Sequence, residues 1–412
     1  MENRKCTLFI SNITSKDGSV WLSLGGHLRE RAEAWSDFAF GAPADNDDVF
    51  LLHRFLLHGD LHLGRHVRVF GEFINALVTK RDLPGGRRVV DVDTADLLNA
   101  FVDLNVPLSK LDLTLRIGRQ ELNFGKNRLV SPLPWANSYR RWDGSSLVGS
   151  YKGWKAHAFA TRFVPVRKYD FNEVDDGHDF FGVYLTYKDN IDLYYLGRHQ
   201  ERPGVTDNER HTTGIRYGGN IGNTGFDYDM EIAYQFGKVD PKDVSAFMLG
   251  SRLGYTFANV DWKPRPWLAL DFGSGDNGPT DNDVGTFDQL FPLGHAYLGY
   301  IDIVGRQNII DFNQGIDLKP MPGMGVKLAN HIFRRADNDD AMYNAGGGIV
   351  RAGGLSNDKF IGFETDLTLK YKFNSHLTGL LGYSHFFAED FIEDTGRHKD
   401  IDFGYIQLQF TF

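Results

Sequence analysis

One cysteine, Cys6, stands alone in 412 residues, so no internal disulfide framework is available. Long apolar runs are missing too. No stretch approaches the ~18 residues of a membrane-spanning helix. Positive charge is not in excess: the net charge is −9, which argues against nucleic acid as a partner. There is no H-E-x-x-H and no G-x-S-x-G, so neither a zinc-protease helix nor a nucleophile elbow is present. No repeated unit of propeller or β-helix type occurs. The expectation is a protein that is not an enzyme, with no cofactor and no bound metal. Mean hydropathy is −0.35, which by itself reads as soluble. A membrane β-barrel has the same signature, because only every second residue of a strand meets lipid.

What is present in quantity is glycine, 46 residues, and aromatics, 14%. The last twelve residues are the most informative. From Gly404 onward they alternate: Ile406, Leu408, Phe410 and Phe412 on one face, Tyr405, Gln407, Gln409 and Thr411 on the other. A period of two is a strand with one apolar face. Ending on Phe410-x-Phe412 suits a strand that closes a barrel with its apolar face in lipid. It resembles the C-terminal aromatic signal that bacterial barrel-assembly machinery reads.

Similar alternation recurs every 15 to 25 residues, in about 18 segments. Residues 20–35 set Leu22, Leu24, Gly26 and Leu28 against His27, Arg29, Arg31 and Glu33. Residues 97–106 set Leu98, Ala100, Val102 and Leu104 against Asn99, Asp103 and Asn105. Residues 226–237 set Tyr228, Met230, Ile232, Tyr234 and Phe236 against Asp227, Asp229, Glu231 and Gln235. Connections alternate between short turns, such as Gly64-Arg65-His66, and long loops, such as 123–140, 274–305 and 334–358. The expected fold is all-β: a transmembrane antiparallel β-barrel of about 18 strands over residues 20–412. Residues 1–19 are expected to be an unstructured tail. An even strand number places both termini on the periplasmic side, and this number encloses an aqueous lumen. A soluble sandwich would need a second apolar set and a linker, and neither is evident.

The N-terminus carries one short apolar patch, Leu8-Phe9-Ile10, whereas a secretory h-region needs about 7–15 apolar residues. A signal peptide is expected for a barrel in the bacterial outer membrane. Its absence is read as a mature or trimmed chain, or a misassigned start.

Charges opposite the apolar stripes would share one lumen. The expected path residues are Arg29, Arg31, Arg54, Arg116, Arg119, Arg216, Arg252 and Lys370, with Arg162, Arg198, Lys327 and Lys372 beside them. Asp103, Asp229, Glu231, Glu364 and Asp366 would compensate them. A cation-lined constriction selects anions. Guanidinium forks match carboxylates bidentately, and uronic acids carry one carboxylate per sugar. Tyr184 and Tyr194 are candidate sliding surfaces for sugar rings. Gly273-Ser274-Gly275-Asp276-Asn277-Gly278 spells G-x-G-x-x-G, but Pro279 and a polar loop follow instead of a helix, so nucleotide binding is rejected. Asp276, Asp281 and Asp283 are a weak calcium candidate.

Several stretches resemble the alginate-export outer-membrane porin family. They are Leu115-Arg116-Ile117-Gly118-Arg119-Gln120-Glu121-Leu122, continuing to Arg128-Leu129-Val130-Ser131 and Arg141-Trp142-Asp143-Gly144; Phe226-Asp227-Tyr228-Asp229 with Ala233-Tyr234-Gln235-Phe236-Gly237; Gly285 to Pro292; and Glu364 to Leu369 with Gly382 to Phe387. The resemblance implies an 18-stranded monomeric barrel with an arginine-rich lumen that passes an anionic polysaccharide or oligosaccharide. It also implies outer-membrane lipid, assembly machinery and periplasmic secretion proteins as partners. Two other classes stay open: a general or substrate-specific uptake porin for small anions, and a soluble β-rich carbohydrate-binding protein.

Overall fold

A computed structural model describes residues 12–15, 17–41, 44–108, 111–201, 204 and 206–412. Eighteen strands form the wall. They are β1 (Val20–Ser36), β2 (Asp48–Leu63), β3 (Val67–Val78), β4 (Asp93–Leu108), β5 (Leu111–Gln120) and β6 (Arg141–Tyr151). Next come β7 (Trp154–Val164), β8 (His178–Tyr187), β9 (Ile191–Gln200), β10 (Asn208–Asn220), β11 (Phe226–Val239) and β12 (Lys242–Tyr255). The last six are β13 (Arg265–Gly273), β14 (Ile309–Leu318), β15 (Met324–Arg335), β16 (Phe360–Lys372), β17 (Leu377–Ala388) and β18 (Ile401–Thr411). Each pairs antiparallel with its sequence neighbours, and β18 returns to β1 from His27↔Thr411 to Ser36↔Asp402. The sheet is therefore closed. No helix among the described residues is long and apolar enough to cross a membrane; the chain crosses with strands.

Closure is completed at the terminus, where the Phe412 and Gly26 backbones exchange two hydrogen bonds of 3.0 Å. Beyond that point β1 continues without β18. Asn12–Thr14 pairs there with Trp21–Ser23. That short strand departs from the expected unstructured tail; Met1 to Ser11, with Cys6, lie outside the described residues.

The expected parity holds on the outer surface. Leu24, Leu28, Leu51, Leu57, Ile117, Met230, Ile232, Leu367, Ile406 and Leu408 are all exposed there. One assignment is corrected. Leu98 is buried at 1% while Leu97 is exposed, because the β3–β4 register slips between Glu72 and Phe73. A bulge gives two residues to one partner and turns the extra one to the other face.

The interior is not uniformly polar, which corrects the second expectation. Inward residues of β6 to β9, namely Trp142, Phe159, Phe180, Tyr184, Tyr194 and Leu196, form an apolar cluster. It is completed by Leu122, Phe124, Leu129, Val130, Phe287, Leu290 and Phe291 from the 121–140 and 274–308 loops. The second apolar set belongs to these infolded loops. Tyr184 and Tyr194 are thus packing surfaces, stacked at 5.2 Å with Phe124 on the far side of Tyr184.

Deleting Phe412 removes two seam hydrogen bonds and the ring's contacts with Phe55 and Phe410. The expected loss is about 2–4 kcal/mol, read as reduced folded yield and earlier urea unfolding in detergent. The folded chain is expected to require detergent or lipid; a monodisperse folded chain in plain buffer would contradict the lipid-facing assignment.

Candidate functional site

Arginines on β1 and β2 point inward by strand parity and meet the 121–140 loop. Arg29 reaches the carbonyls of Pro134 at 3.1 Å, Trp135 at 3.0 Å and Ala136 at 2.9 Å. Arg54 donates to Pro134 at 3.0 Å and Ala136 at 2.8 Å. Arg31 donates to the Trp135 carbonyl at 2.7 Å and pairs with Glu33 at 2.8 Å. A loop placed inside a barrel brings backbone carbonyls that must be satisfied. Guanidinium forks satisfy several at once. Asn137 serves the other side, accepting from Arg29 at 2.9 Å and donating to the Leu77 and Asp91 carbonyls at 2.9 Å.

The rest of the loop is held by buried ion pairs. Arg141 is fully buried between Asp93 and Asp96, at 2.9 Å from the latter. Arg128 pairs with Asp229 and, at 3.2 Å, with Glu231. Arg216 bridges Asp192 at 2.9 Å to Asp229. Farther toward the turn end, Arg116 is bidentate to Asp103 at 2.7 and 2.9 Å, and Arg265 spans Asp227 and Asp317.

The 274–308 loop docks on the first. Ser131 donates to the Phe291 carbonyl at 2.9 Å, Phe291 to Leu129 at 2.8 Å, and Leu293 to Asn127 at 2.9 Å. Arg306 ties the Arg128 carbonyl, at 3.0 Å, to Asp271, at 2.7 Å. Asp288 pairs with Arg198. Burial alone would raise the Asp288 carboxyl; Arg198 and Arg210 outweigh it and hold it below the ordinary value. Glu364 accepts from the Ile301 amide at 2.9 Å. Gly299 lies against that carboxylate with φ +84°, a conformation glycine adopts without strain.

Two cavities remain on either side of these loops. One of about 300 Å³ lies at the long-loop end, lined among others by Arg31, Trp135, Arg140 and Tyr300. The other, of about 510 Å³, opens at the turn end and is lined by Lys126, Asp229, Arg252 and Tyr297 among others.

The expected path residues therefore divide. Arg29, Arg31, Arg54, Arg116, Arg216, Asp103, Asp229, Glu231 and Glu364 lie inside, engaged with loop backbone or with one another. Arg252 and Lys370 lie inside without an ion pair among the described residues. Arg162 is corrected to the outer face, following the outward parity of Ala160 and pairing with Asp179; Arg119 shares the parity of Ile117 but is largely buried at the rim, where it pairs with Asp143 and, at 3.5 Å, with the buried Asp96. Among the described residues no three His, Cys, Asp or Glu side chains are placed to hold a metal. Asp276 and Asp281 instead accept from the Gly278 and Asp283 amides. Arg128, Trp135, Asn137, Arg141 and Arg306 were not singled out from sequence as site residues, although two of them sit in the family-like stretches.

Two measurements follow. Replacing Arg29 and Arg54 by Met strips the Pro134 and Ala136 carbonyls of these donors and leaves Trp135 only Arg31, and should raise single-channel conductance several-fold as the loop leaves the lumen. Glu121, first residue of that loop, has its carboxyl pushed up to about 7 by burial and by the nearby Glu72 charge. A raised folded-state value means stability falls as pH rises from the ordinary 4.5 through about 7. Glu121→Gln should therefore be neutral near pH 4 and stabilising by up to about 3 kcal/mol near pH 8 in urea unfolding.

No curated protein matches the chain. Solved structures with a similar fold include Pseudomonas aeruginosa OprD, with TM-score 0.61 and 16% identity over 95% of both chains. Pseudomonas aeruginosa OccK11 (OpdR) gives TM-score 0.61 and 13% identity, covering 95% of this chain and 96% of that one. Pseudomonas aeruginosa OpdK gives 0.61 and 11%, covering 95% and 98%. The model of the family described as alginate export matches residues 20–404, and the chain belongs to that family of β-barrel channels of the bacterial outer membrane.

Proposed function

We propose that this channel conducts an acidic oligosaccharide or polysaccharide of the alginate type. The observation that carries the reading is the sign of the lumenal charges left over after pairing. Inward carboxylates such as Asp103, Asp192, Asp227, Asp229 and Asp317 are matched by arginines. Lys155, Arg252, Lys327, Lys370 and Lys372 lie on the inward face by strand register and have no ion pair among the described residues. Asp112, exposed at the turn-end rim, is an unpaired carboxylate among them. The wet half of the lumen thus presents an excess of free cations, and a lumen of that sign favours anions.

A second reading, passage of short acidic solutes rather than long polymers, is supported by the infolded loops. The 121–140 and 274–308 loops occupy the lumen and leave cavities of about 300 and 510 Å³.

In a planar bilayer at low salt, where the Debye length reaches ~30 Å, the channel should be anion-selective. Changing Lys155, Lys370 and Lys372 to Glu should lower that selectivity several-fold. Cation selectivity of the unchanged chain would overturn the proposal. Block by oligo-uronates of increasing length separates the two readings: block that stops growing beyond two or three sugars favours short solutes.

A further inference from the structure

One polar row crosses the lipid-facing wall beside the seam. Gln314 on β14, Asn330 on β15, Thr365 on β16, His385 on β17 and Asp402 on β18 are consecutive cross-strand partners. They share the outward face: Gln314 lies between Phe312 and Ile316, Asn330 between Leu328 and Ile332, and Thr365 between Phe363 and Leu367. Strands tilt against the barrel axis, so such a row descends from the rim into the apolar band. Asp402 is next to the long-loop end of β18, whereas Gln314 and Asn330 sit mid-strand. Asn330 donates to the Thr365 hydroxyl at 2.8 Å, which leaves its side-chain carbonyl without a donor among the described residues. The exposed Gln314 carboxamide has no partner among them. Hydrocarbon offers such groups nothing to bond, and each unmet group is costly.

The rim above the row carries separated charge. Arg334, next to last in β15, is exposed on the same outward face and has no ion pair among the described residues. On the far side of β16 two carboxylates share one imidazole: His385 lies 2.7 Å from Asp402 and 3.8 Å from Asp400. Arg334 and Asp402 are each one residue from the long-loop end of their strands, so they stand at similar height. Strand spacings of ~4.8 Å keep them from pairing within one barrel. Phe360 and Phe363, in edge contact at 4.9 Å, stand on β16 between them.

We propose that this face joins two copies of the chain about a two-fold axis that runs along the membrane normal at β16. Both copies insert in the same sense, so such an axis keeps every residue at its own depth and makes each contact twice. β15 of one copy faces β17 and β18 of the other. Arg334 then meets the Asp400 and Asp402 carboxylates of the second copy, and the reverse. At mid-depth the Asn330–Thr365 pair lies beside the axis and meets its own counterpart. A carboxamide carries both donor and acceptor, so it is complementary to itself. Gln314 extends the polar contact by one strand, and the exposed Leu328 and Leu367 flank it and exclude lipid. Charge and depth match in a second copy of the same face. The pairing is independent of which solute crosses, and it replaces the monomer that the family resemblance implies.

The test is the mass of the full chain in mild detergent, read by light scattering, together with cross-linking in outer membranes. Two copies per particle are expected. In a Cys6→Ser background, Phe363→Cys beside the axis should give a cross-linked dimer with a short bis-maleimide, and Leu147→Cys on β6 should not. Arg334→Glu should raise the dimer dissociation constant about tenfold, a change of about 1.4 kcal/mol. Adding Asp402→Arg to it should recover most of the loss. Asn330→Leu should weaken the dimer several-fold, and Arg162→Glu, on the outer face of β7, should leave it unchanged. Heat-shifted migration on gels identifies folded variants; if a charge variant does not fold, the Phe363→Cys and Leu147→Cys pair decides by cross-linking. A one-copy mass with no Phe363→Cys product in membranes overturns the proposal, as does a one-copy particle that retains a bound lipid on this face. A dimer unchanged by both Arg334→Glu and Asn330→Leu puts the contact elsewhere and overturns it equally.

Discussion

The desolvated guanidinium is the interaction on which this barrel depends. Burying an ionised group without partners is prohibitive, whereas burying one with several well-placed acceptors is tolerable. Arg29, Arg54, Arg141 and Arg306 are each below 3% exposed, and each meets carbonyls, carboxylates or both. Together they hold a loop where water would otherwise fill the lumen. The apolar cluster around Phe291 and Trp142 forms only because the backbone beside it is already satisfied.

This arrangement gives the interior two layers of different character. Around the infolded loops, charges are consumed by structure and hydrophobic contacts fill the space. Toward the turn end, charge is displayed to water. A cation that anchors a loop cannot also conduct a solute. Arginine content by itself therefore says little about transport, and the partner of each guanidinium says a good deal.

Much of this was legible in the alternation. Strand count, closure and the outward stripe came from period-two patterning, which reports which residues share a face. Arg29, Arg31 and Arg54 share the face turned away from the outward leucines, because parity decides direction. Their partners were not readable, because the acceptors on Pro134 to Asn137 belong to a loop with no periodicity and lie 80 or more residues away in sequence from Arg54 and more than 100 from Arg29. Arg162 was misassigned because charge was taken as a sign of the lumen, although Ala160 fixes it outward. Leu98 escaped because a bulge leaves no mark in a hydropathy pattern. Trp267, Trp135 and Tyr300 escaped because an inward aromatic looks the same as an outward one until its register is known.

The short pairing of Asn12–Thr14 with Trp21–Ser23 bears on how the seam meets its surroundings. At the turn end β1 outruns β18, which would leave a row of unsatisfied amides and carbonyls along one side of β1. An open strand edge is a template for pairing with another chain. The fold-back segment occupies that edge with the protein's own backbone. The seam of the cylinder is thereby guarded against strand addition by a neighbouring molecule.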